Sequence, residues 1–256
     1  MTTPKISIII PAYNEAERLG PSLDKVLAYL REQQWQAEVL VVDDGSRDTT
    51  AALAAEYASR YPELRLLENP GNRGKGYSVR HGVLAARGEQ ILFSDADLSS
   101  PIQEAGKLLA QLEAGADVAI GSRWLERDLQ TTPQPVMRQL AGRVYNILLR
   151  MILGLNFKDT QCGMKAFTRR AAGIVFTRQQ IERWGFDPEL LFIARKNRLR
   201  IVEVPVEWAH DERSKINPLL DGFKMGCEML QIRWNGVRGL YRRPALSFES
   251  SPAGTK

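Results

Sequence analysis

The sequence contains few of the residues that mark several classes of protein. Its 256 residues include only two cysteines, Cys162 and Cys227, which argues against a disulfide-stabilised secreted fold and favours a reducing compartment. No His/Cys spacing typical of a zinc site surrounds these cysteines. The two histidines, His81 and His210, lie far from any nucleophile motif, so a hydrolase triad is not indicated.

Long apolar segments are also missing. No run approaches the ~18 residues that a membrane-spanning helix requires, and the best candidate, "ILLRMILGL", is interrupted by Arg150. The first ten residues, "MTTPKISIII", lack the charged and apolar regions of a signal peptide. We therefore expect a cytoplasmic protein that does not span the membrane.

The composition is that of a globular protein with a mild positive charge. With 44% apolar and 25% charged residues, the chain is long enough to bury a substantial core. The formal net charge of +5 would suit a phosphorylated ligand, an anionic membrane surface or nucleic acid. Charge alone selects none of these partners.

Strand-like and helix-like segments alternate along the chain. "KISIII" (residues 5–10) and "AEVLVV" (residues 37–42) are nearly continuous apolar runs, typical of strands covered on both faces. We predict an α/β fold, a mostly parallel Rossmann-like sheet sandwiched by helices, in one domain over residues 1–241. That domain includes a C-terminal amphipathic helix at about 217–241, and we expect residues 242–256 to be disordered.

Polar clusters follow three of the predicted strands. They are "PAYNE" (residues 11–15), "DDGS" (residues 43–46) and "DAD" (residues 95–97). Parallel sheets bind ligands at the carboxyl ends of their strands, so all three clusters are placed where a ligand would bind. Ordinary turn chemistry is the alternative for any one cluster. Three acidic strand ends together favour a binding site.

The spacing of Asp95 and Asp97 indicates a cation. Residues two apart on an extended segment point the same way, and two adjacent carboxylates are stable as anions only when a positive charge lies nearby. Carboxylate oxygens suit Mg²⁺ or Mn²⁺, which are commonly held together with substrate phosphates. We predict a divalent ion that bridges these aspartates and a diphosphate.

The glycine-rich segment "NPGNRGKGYS" (residues 69–78) is not a standard phosphate-binding motif. Gly76 stands where a Walker A lysine should follow the second glycine, and Val79 stands where G-x-G-x-x-G needs its third glycine. What remains is a basic loop with Arg73 and Lys75 at the start of a predicted helix, which is suited to an anion.

These motifs together resemble a known family. "ISIIIPAYNEAERL", "VLVVDDGSRDTT", "NRGKGYSVRHGVLAARGEQILFSDADLSSP" and "DVAIGSRW" resemble the family 2 inverting glycosyltransferases of the GT-A fold. Within that family, "DTQCGMKAFTR", "RWGFDPELLFIA" and "RSKI" resemble the dolichyl-phosphate β-glucosyltransferases, with the dolichyl-phosphate mannosyltransferases as near relatives. The resemblance covers about residues 5–241.

The resemblance implies roles for individual residues. Donor binding is implied for Pro11, Ala12, Tyr13, Asn14, Glu15, Asp43, Asp44, Lys75, Asp95, Ala96 and Asp97. Metal binding is implied for Asp95, Asp97 and Ser99, the serine standing where mannosyl relatives often carry glutamine. The residues implied in catalysis are Asp95, Asp97, Arg123, Arg138, Arg213 and Lys215, the last two in a loop that closes over the diphosphate in relatives.

The expected acceptor is a lipid monophosphate, which is already anionic and needs no strong general base. Cations must then offset the repulsion between two anions. The residues predicted to bind the acceptor are Arg123, Arg138, Arg143, Asn146, Gln161, Cys162, Gly163 and Glu189. For Arg138 and Arg143, solvated surface charge is the alternative interpretation.

Two helical segments combine apolar, basic and aromatic residues, as helices at a membrane surface do. They are residues 136–155 and the C-terminal helix, which ends with Arg233, Trp234, Arg238, Arg242 and Arg243. An amphipathic helix packed on the core is the alternative. We predict a peripheral protein at the cytoplasmic membrane face.

The predicted activity is metal-dependent, inverting transfer of glucose from UDP-glucose to a polyprenyl phosphate, with Mg²⁺ or Mn²⁺ as cofactor. The enzymatic alternatives are GDP-mannose as donor or a soluble acceptor. A nucleotide-sugar-binding protein without activity is an alternative of another class. A nucleic-acid-binding module is disfavoured, because the acidic clusters would repel phosphate without a metal.

Overall fold

A computed structural model of the chain describes residues 3–132, 136–209 and 218–242. Apolar strands lie at its centre because helices cover both of their faces: Ile8 and Ile10 enter one core and Ile9 enters the other. The strands are β1 (Ile6–Ala12), β2 (Ala37–Asp43), β3 (Leu64–Glu68), β4 (Gln90–Phe93), β5 (Val118–Ser122), β6 (Gln130–Thr132), β7 (Lys165–Thr168), β8 (Ile201–Pro205) and β9 (Trp208–Ala209).

Seven of these strands form one sheet in the order β3-β2-β1-β4-β7-β5-β8. Only β7 runs antiparallel to its neighbours β4 and β5, and the other neighbouring strands are parallel. The mostly parallel sheet predicted from the sequence is confirmed. A short parallel pair of β6 and β9 lies outside this sheet.

Helices occupy both faces of the sheet. They are α1 (Ala16–Glu32), α2 (Thr50–Arg60), α3 (Lys75–Ala85), α4 (Ala105–Glu113), α5 (Val136–Leu153), α6 (Arg169–Phe176), α7 (Phe186–Lys196) and α8 (Pro218–Val237). Helices α1, α2 and α4 supply the core on one face, and α3 with α5 to α8 supplies the other.

The C-terminal helix α8 packs against α5 and α7, and a 3₁₀ turn over Leu240–Arg242 follows it. The predicted helix at about 217–241 therefore corresponds to α8 and this turn. Residues 243–256, part of the tail predicted to be disordered, lie outside the described residues. Within the described ranges, no helix has the length and apolarity to cross a bilayer.

Candidate active site

The sheet order brings the three polar clusters to one edge. Strand β1 lies between β2 and β4 and is parallel to both, so residues 11–15, 43–46 and 95–97 all leave the sheet at its carboxyl edge. This is the arrangement that the strand pattern predicted. Cross-links join the first two clusters, since the Asn14 N–H donates to Ser46 Oγ over 2.9 Å and the Asp44 N–H donates to the Ala12 carbonyl over 2.8 Å.

Asp43, at the end of β2, has an unsatisfied oxygen. Its side chain is buried, and Oδ2 accepts the Ser46 N–H over 3.0 Å. Oδ1 is buried and has no hydrogen-bond partner among the described residues. Because a buried carboxylate oxygen without a donor is costly, Oδ1 is suited to accept a hydrogen bond from a ligand. Pro11, Ala12 and the partly buried Tyr13 lie on the neighbouring strand end.

Asp44 is predicted to bind the donor, and in the structure its carboxylate accepts hydrogen bonds from the glycine-rich loop. Its Oδ1 accepts from the Asn69 amide over 2.8 Å and from the Arg73 N–H over 2.9 Å, and its Oδ2 accepts from the Gly74 N–H over 2.7 Å. Gly74 has φ of +108°, a region that favours glycine. Asp44 therefore shapes the glycine-rich loop, and the loop delivers Lys75 to the site.

Lys75 opens α3 and contacts the DAD cluster. Its Nζ lies 2.5 Å from Oδ1 of Asp95 and 5.9 Å from the ring centres of both Trp184 and Phe186. Burial alone would lower the pKa of Lys75, but the carboxylates of Asp95 and Asp187 outweigh burial and raise that pKa. The lysine is therefore held as a cation beside Asp95.

Asp97 lies in a crowded anionic environment. Burial raises the pKa of Asp97, the Asp95 carboxylate raises it further, and hydrogen bonds from Ser99 and the nearby Arg18 oppose the shift. The Ser99 N–H donates to Asp97 Oδ1 over 2.9 Å, and Arg18 lies 3.7 Å from Oδ2. Ser99, predicted as a metal ligand, thus supports Asp97. Ala96, between the two aspartates, is buried.

The two aspartates fit a divalent cation. Their oxygens are hard ligands. Burial and the neighbouring Asp95 carboxylate both raise the pKa of Asp97, and a bound cation would favour the ionised form against both. Within the described residues, no group of three or more Asp, Glu, His or Cys side chains is arranged around a metal. Oxygens from a bound diphosphate and from water would therefore have to complete the coordination.

Arg123, at the end of β5, is already paired. Its guanidinium donates to Asp159 over 2.6 and 2.8 Å, and its backbone N–H donates to the same carboxylate over 3.0 Å. The guanidinium also lies 5.4 Å from the Trp208 ring centre. Burial lowers the pKa of Arg123, but Asp159 outweighs burial and raises it. Any acceptor phosphate would share this guanidinium with Asp159.

Three predicted acceptor residues follow Asp159. The side-chain nitrogen Nε2 of Gln161 is buried without a hydrogen-bond partner among the described residues. Gly163 packs on Asp95 so closely that a Cβ there would lie 2.0 Å from Asp95 Oδ2. Cys162 is buried, and burial raises the pKa of its thiol. Gly163 therefore packs directly against Asp95, and the protonated Cys162 thiol packs in the core.

Glu189, also predicted to bind the acceptor, is fully buried and bonded to other parts of the protein. It accepts hydrogen bonds from the Tyr241 hydroxyl over 2.6 Å, the Ile181 N–H over 2.8 Å and the Gln180 N–H over 3.0 Å. Burial raises the pKa of Glu189 to about 7. In the structure, Glu189 ties the C-terminal turn to the segment before α7. Its role in binding the acceptor stays a prediction.

The remaining predicted residues belong to helix α5 and to the segment that precedes α8. Arg213 and Lys215 lie outside the described residues. The side chains of Arg138 and Arg143, on α5, are also outside the description. Asn146 of the same helix donates its side-chain amide to the Lys158 carbonyl.

Four charged residues near the site were not predicted from the sequence. Arg18 donates two hydrogen bonds of 2.6 Å to Glu15, and its signal was the Glu-Arg spacing of three at the start of α1. The others are Asp159, which pairs with Arg123, and Lys165 and Asp187, which pair with each other. Asp159, Lys165 and Asp187 lie within quoted motifs but had no spacing that indicated their partners.

Solved structures share this architecture. The glucosyl-3-phosphoglycerate synthase of Mycobacterium tuberculosis in complex with uridine diphosphate superposes with a TM-score of 0.67 at 21% identity, covering 90% of this chain and 80% of that one. A complex of the same synthase with Mn²⁺, uridine diphosphate and glucosyl-3-phosphoglycerate gives a TM-score of 0.66 at 20% identity, covering 94% and 81%. The fold is that of the GT-A glycosyltransferases.

Sequence relatives define the family. Residues 7–175 match the family described as glycosyl transferase family 2. The dolichyl-phosphate beta-glucosyltransferase of Homo sapiens is 36% identical, covering 94% of this chain and 78% of the relative. The enzyme of the same name from Drosophila melanogaster is 37% identical, covering 93% of this chain and 77% of the relative. That from Saccharomyces cerevisiae is 33% identical, covering 93% of this chain and 76% of the relative. The chain belongs to glycosyl transferase family 2, and the predicted resemblance is confirmed.

Proposed function

We propose that this glycosyltransferase moves glucose from UDP-glucose to a polyprenyl phosphate, with inversion to a β-linked product. The observation that carries the proposal is the Asp95–Asp97 pair, which lies with the Lys75 cation at the sheet edge that also holds Asp43. The relatives from three eukaryotes are named for transfer of glucose to dolichyl phosphate.

The donor would lie along this edge with its base beside β2. A uracil ring offers an N–H group that could donate to Oδ1 of Asp43, for which the described part of the chain supplies no hydrogen-bond partner. Uridine diphosphate in the M. tuberculosis structure supports this base. The residues proposed along the donor are Pro11, Ala12, Tyr13, Asn14, Glu15, Asp43, Lys75, Asp95, Ala96 and Asp97, with Asp44 shaping the glycine-rich loop.

A divalent cation, Mg²⁺ or Mn²⁺, would be held by Asp95 and Asp97. When bound, it would offset the negative charge that develops on the departing diphosphate. Lys75 and Arg18 already supply positive charge at the two carboxylates. The Mn²⁺ in the complex of the M. tuberculosis synthase supports a metal of this type.

The acceptor phosphate would approach from the β5 side of Asp95. Because a phosphate monoester is anionic at neutral pH, the protein has to orient it and offset its charge rather than remove a proton. Arg123, held by Asp159 and Trp208, is the described residue that suits this role. Arg138, Arg143, Asn146, Gln161, Arg213 and Lys215 are further proposed contributors.

Helices α5 and α8 would place the site at the membrane surface. They pack together and expose large apolar side chains, including Met151 at 77% and Trp234 at 62% exposure. The other exposed apolar residues of these helices are Val144, Ile147, Leu148, Leu230 and Val237. Exposed Arg150, Arg233 and Arg238 lie on the same helices, and such a combination suits an anionic bilayer surface.

The direct test is a donor panel with a short polyprenyl phosphate and Mn²⁺ or Mg²⁺, followed by extraction of lipid-linked sugar. We expect a glucosyl lipid from UDP-glucose, with β configuration by NMR. A mannosyl lipid from GDP-mannose would change the donor assignment. Efficient transfer to a soluble acceptor alone would refute the lipid acceptor, and donor binding without any transfer would indicate a binding protein.

A further inference from the structure

Two buried charged residues lie beneath the Lys75–Asp95 pair. Lys165, the first residue of β7, is 0% exposed, and Asp187, in the first turn of α7, is 3% exposed. The Lys165 ammonium forms an ion pair with Oδ1 of Asp187 and donates to the Cys162 carbonyl over 2.7 Å. A buried ion pair is often no more stabilising than an apolar pair of similar volume. Stability alone therefore does not account for this pair.

One side of the pair leads to Asp95. Lys165 holds the Cys162 carbonyl, and the next residue, Gly163, packs directly on the Asp95 carboxylate. A Cβ at Gly163 would overlap Oδ2 of Asp95 at 2.0 Å, so no free space separates this backbone from the carboxylate. The position of the 162–163 backbone therefore determines where the Asp95 carboxylate can lie.

The other side of the pair leads to Lys75. The residue before Asp187 is Phe186, whose ring centre lies 5.9 Å from the Lys75 ammonium. The backbone of α3 abuts the same residue, because a Cβ at Gly76 would lie 2.7 Å from Phe186 Cβ. Burial raises the pKa of Asp187, and the charges of Lys165 and Lys75 oppose that shift. Asp187 is therefore close enough to act on both lysines.

The charges alternate from the core to the sheet edge. Lys165 pairs with Asp187, and Lys75 pairs with Asp95. Phe186, the chain neighbour of Asp187, links the two pairs because its ring contacts the Lys75 ammonium. For the Lys75 ammonium to contact a diphosphate bound at Asp95 and Asp97, it has to lie on the side of the Asp95 carboxylate that faces the diphosphate. The Asp187 carboxylate, paired with Lys165, places negative charge near the Lys75 ammonium and so favours the position of that ammonium when a cation binds Asp95.

We propose that Lys165 and Asp187 are positioning residues that hold the Asp95 carboxylate and the Lys75 ammonium in place for the donor diphosphate, an inference that rests on the proposed donor site. Neither side chain has to touch the donor. Their effect is expected on diphosphate binding and not on recognition of the base.

Asp187→Asn removes the charge and leaves an oxygen that can accept from Lys165. We expect at least a tenfold loss of UDP affinity in Mn²⁺, by calorimetry, with the affinity for uridine, by competition, unchanged within twofold. The double variant Lys165→Met with Asp187→Leu replaces the pair by apolar groups and keeps the test informative if the single variant unfolds. It should show the same selective loss.

Glu38→Gln is the matched control. Glu38 is 2% exposed, pairs with Arg65 and Arg87, and lies at the amino end of β2, opposite the site. It should lower stability without changing UDP affinity. Unchanged UDP affinity in the folded Asp187 variants, or equal loss of UDP and uridine, would overturn the inference. A wild type that binds no UDP would instead refute the proposed donor, and the positioning role with it.

Discussion

The ammonium nitrogen of Lys75 lies 2.5 Å from Oδ1 of Asp95. This contact joins the glycine-rich loop to the DAD cluster, two motifs that are about twenty residues apart in the chain. A lysine and a divalent cation would thus share one carboxylate, and the diphosphate would meet both positive charges.

Replacing Lys75 with methionine removes the ammonium and keeps an apolar stem against Trp184 and Phe186. Because a charge-assisted hydrogen bond is worth about 1.5–3 kcal/mol, the KM for UDP-glucose should rise about 10- to 100-fold. Mn²⁺ affinity should increase, since Asp95 loses a competing partner. Arg73→Met, on the same loop but paired with Glu182, is the control, and an equal effect there would argue against a specific role for Lys75.

Asp97→Asn should abolish most turnover while leaving the fold intact. The side chain is on the rim at 22% exposure, so it contributes little to packing, whereas loss of a metal ligand should cost about a thousandfold in kcat, or about 4 kcal/mol. Asp117→Asn is a matched control, with a paired carboxylate at 18% exposure before the amino end of β5. Full activity of Asp97→Asn, or wild-type activity undiminished by EDTA, would exclude the metal-bridging role.

The donor base can be tested by competition. At saturating metal, UDP should displace a labelled donor at least about tenfold better than GDP, equivalent to about 1.4 kcal/mol. Asp43→Asn should weaken the binding of uridine itself, because it replaces a carboxylate whose Oδ1 has no hydrogen-bond partner among the described residues by a neutral amide. Equal competition by the two nucleotides, or a preference for GDP, would favour a GDP-mannose donor.

Glu189 predicts a pH dependence of stability. Burial raises its pKa from the ordinary 4.5 to about 7, so between these values the native state holds a proton that the unfolded state has lost. Stability should therefore fall as pH rises from about 4.5 to 7, by about 2–3 kcal/mol.

Denaturant unfolding at pH 5, 6, 7 and 8 measures this effect. Glu189→Gln, which cannot ionise, should flatten the dependence. Glu38→Gln is the control. Hydrogen bonds from Ser7 and Arg87 and the charge of Arg87 outweigh burial and lower the pKa of Glu38, so its contribution to stability is lost only at more acidic pH. A slope that is unchanged in Glu189→Gln would show that Glu189 ionises normally.

Membrane association should depend on the arginines of α8. The double variant Arg233→Gln with Arg238→Gln should bind anionic vesicles about 30-fold more weakly at low salt, at about 1 kcal/mol for each arginine, while UDP affinity is retained. Raising the salt concentration should reduce this difference. Arg31→Gln with Arg60→Gln, on α1 and α2, is the matched control. If the wild-type protein does not bind anionic vesicles at low salt, a peripheral location at the membrane is contradicted.

Much of the fold could be predicted from local sequence. Continuous apolar runs specify strands covered on both faces, and the polar residues that end them specify the ligand edge. The i, i+2 spacing of Asp95 and Asp97 is a property of extended backbone. Each of these features depends on near neighbours in the chain, so the sequence by itself determined the sheet, its binding edge and the paired aspartates.

Only the tertiary structure decided which charges meet at that edge. Lys165 pairs with Asp187 across 22 positions, Arg123 pairs with Asp159 across 36, and Tyr241 bonds Glu189 across 52. No periodicity relates such residues. Their contacts arise because β7 enters the sheet antiparallel and α7 and the C-terminal turn pack behind it. Burial then makes each pairing obligatory, since an unpaired charge in that interior would cost several kcal/mol.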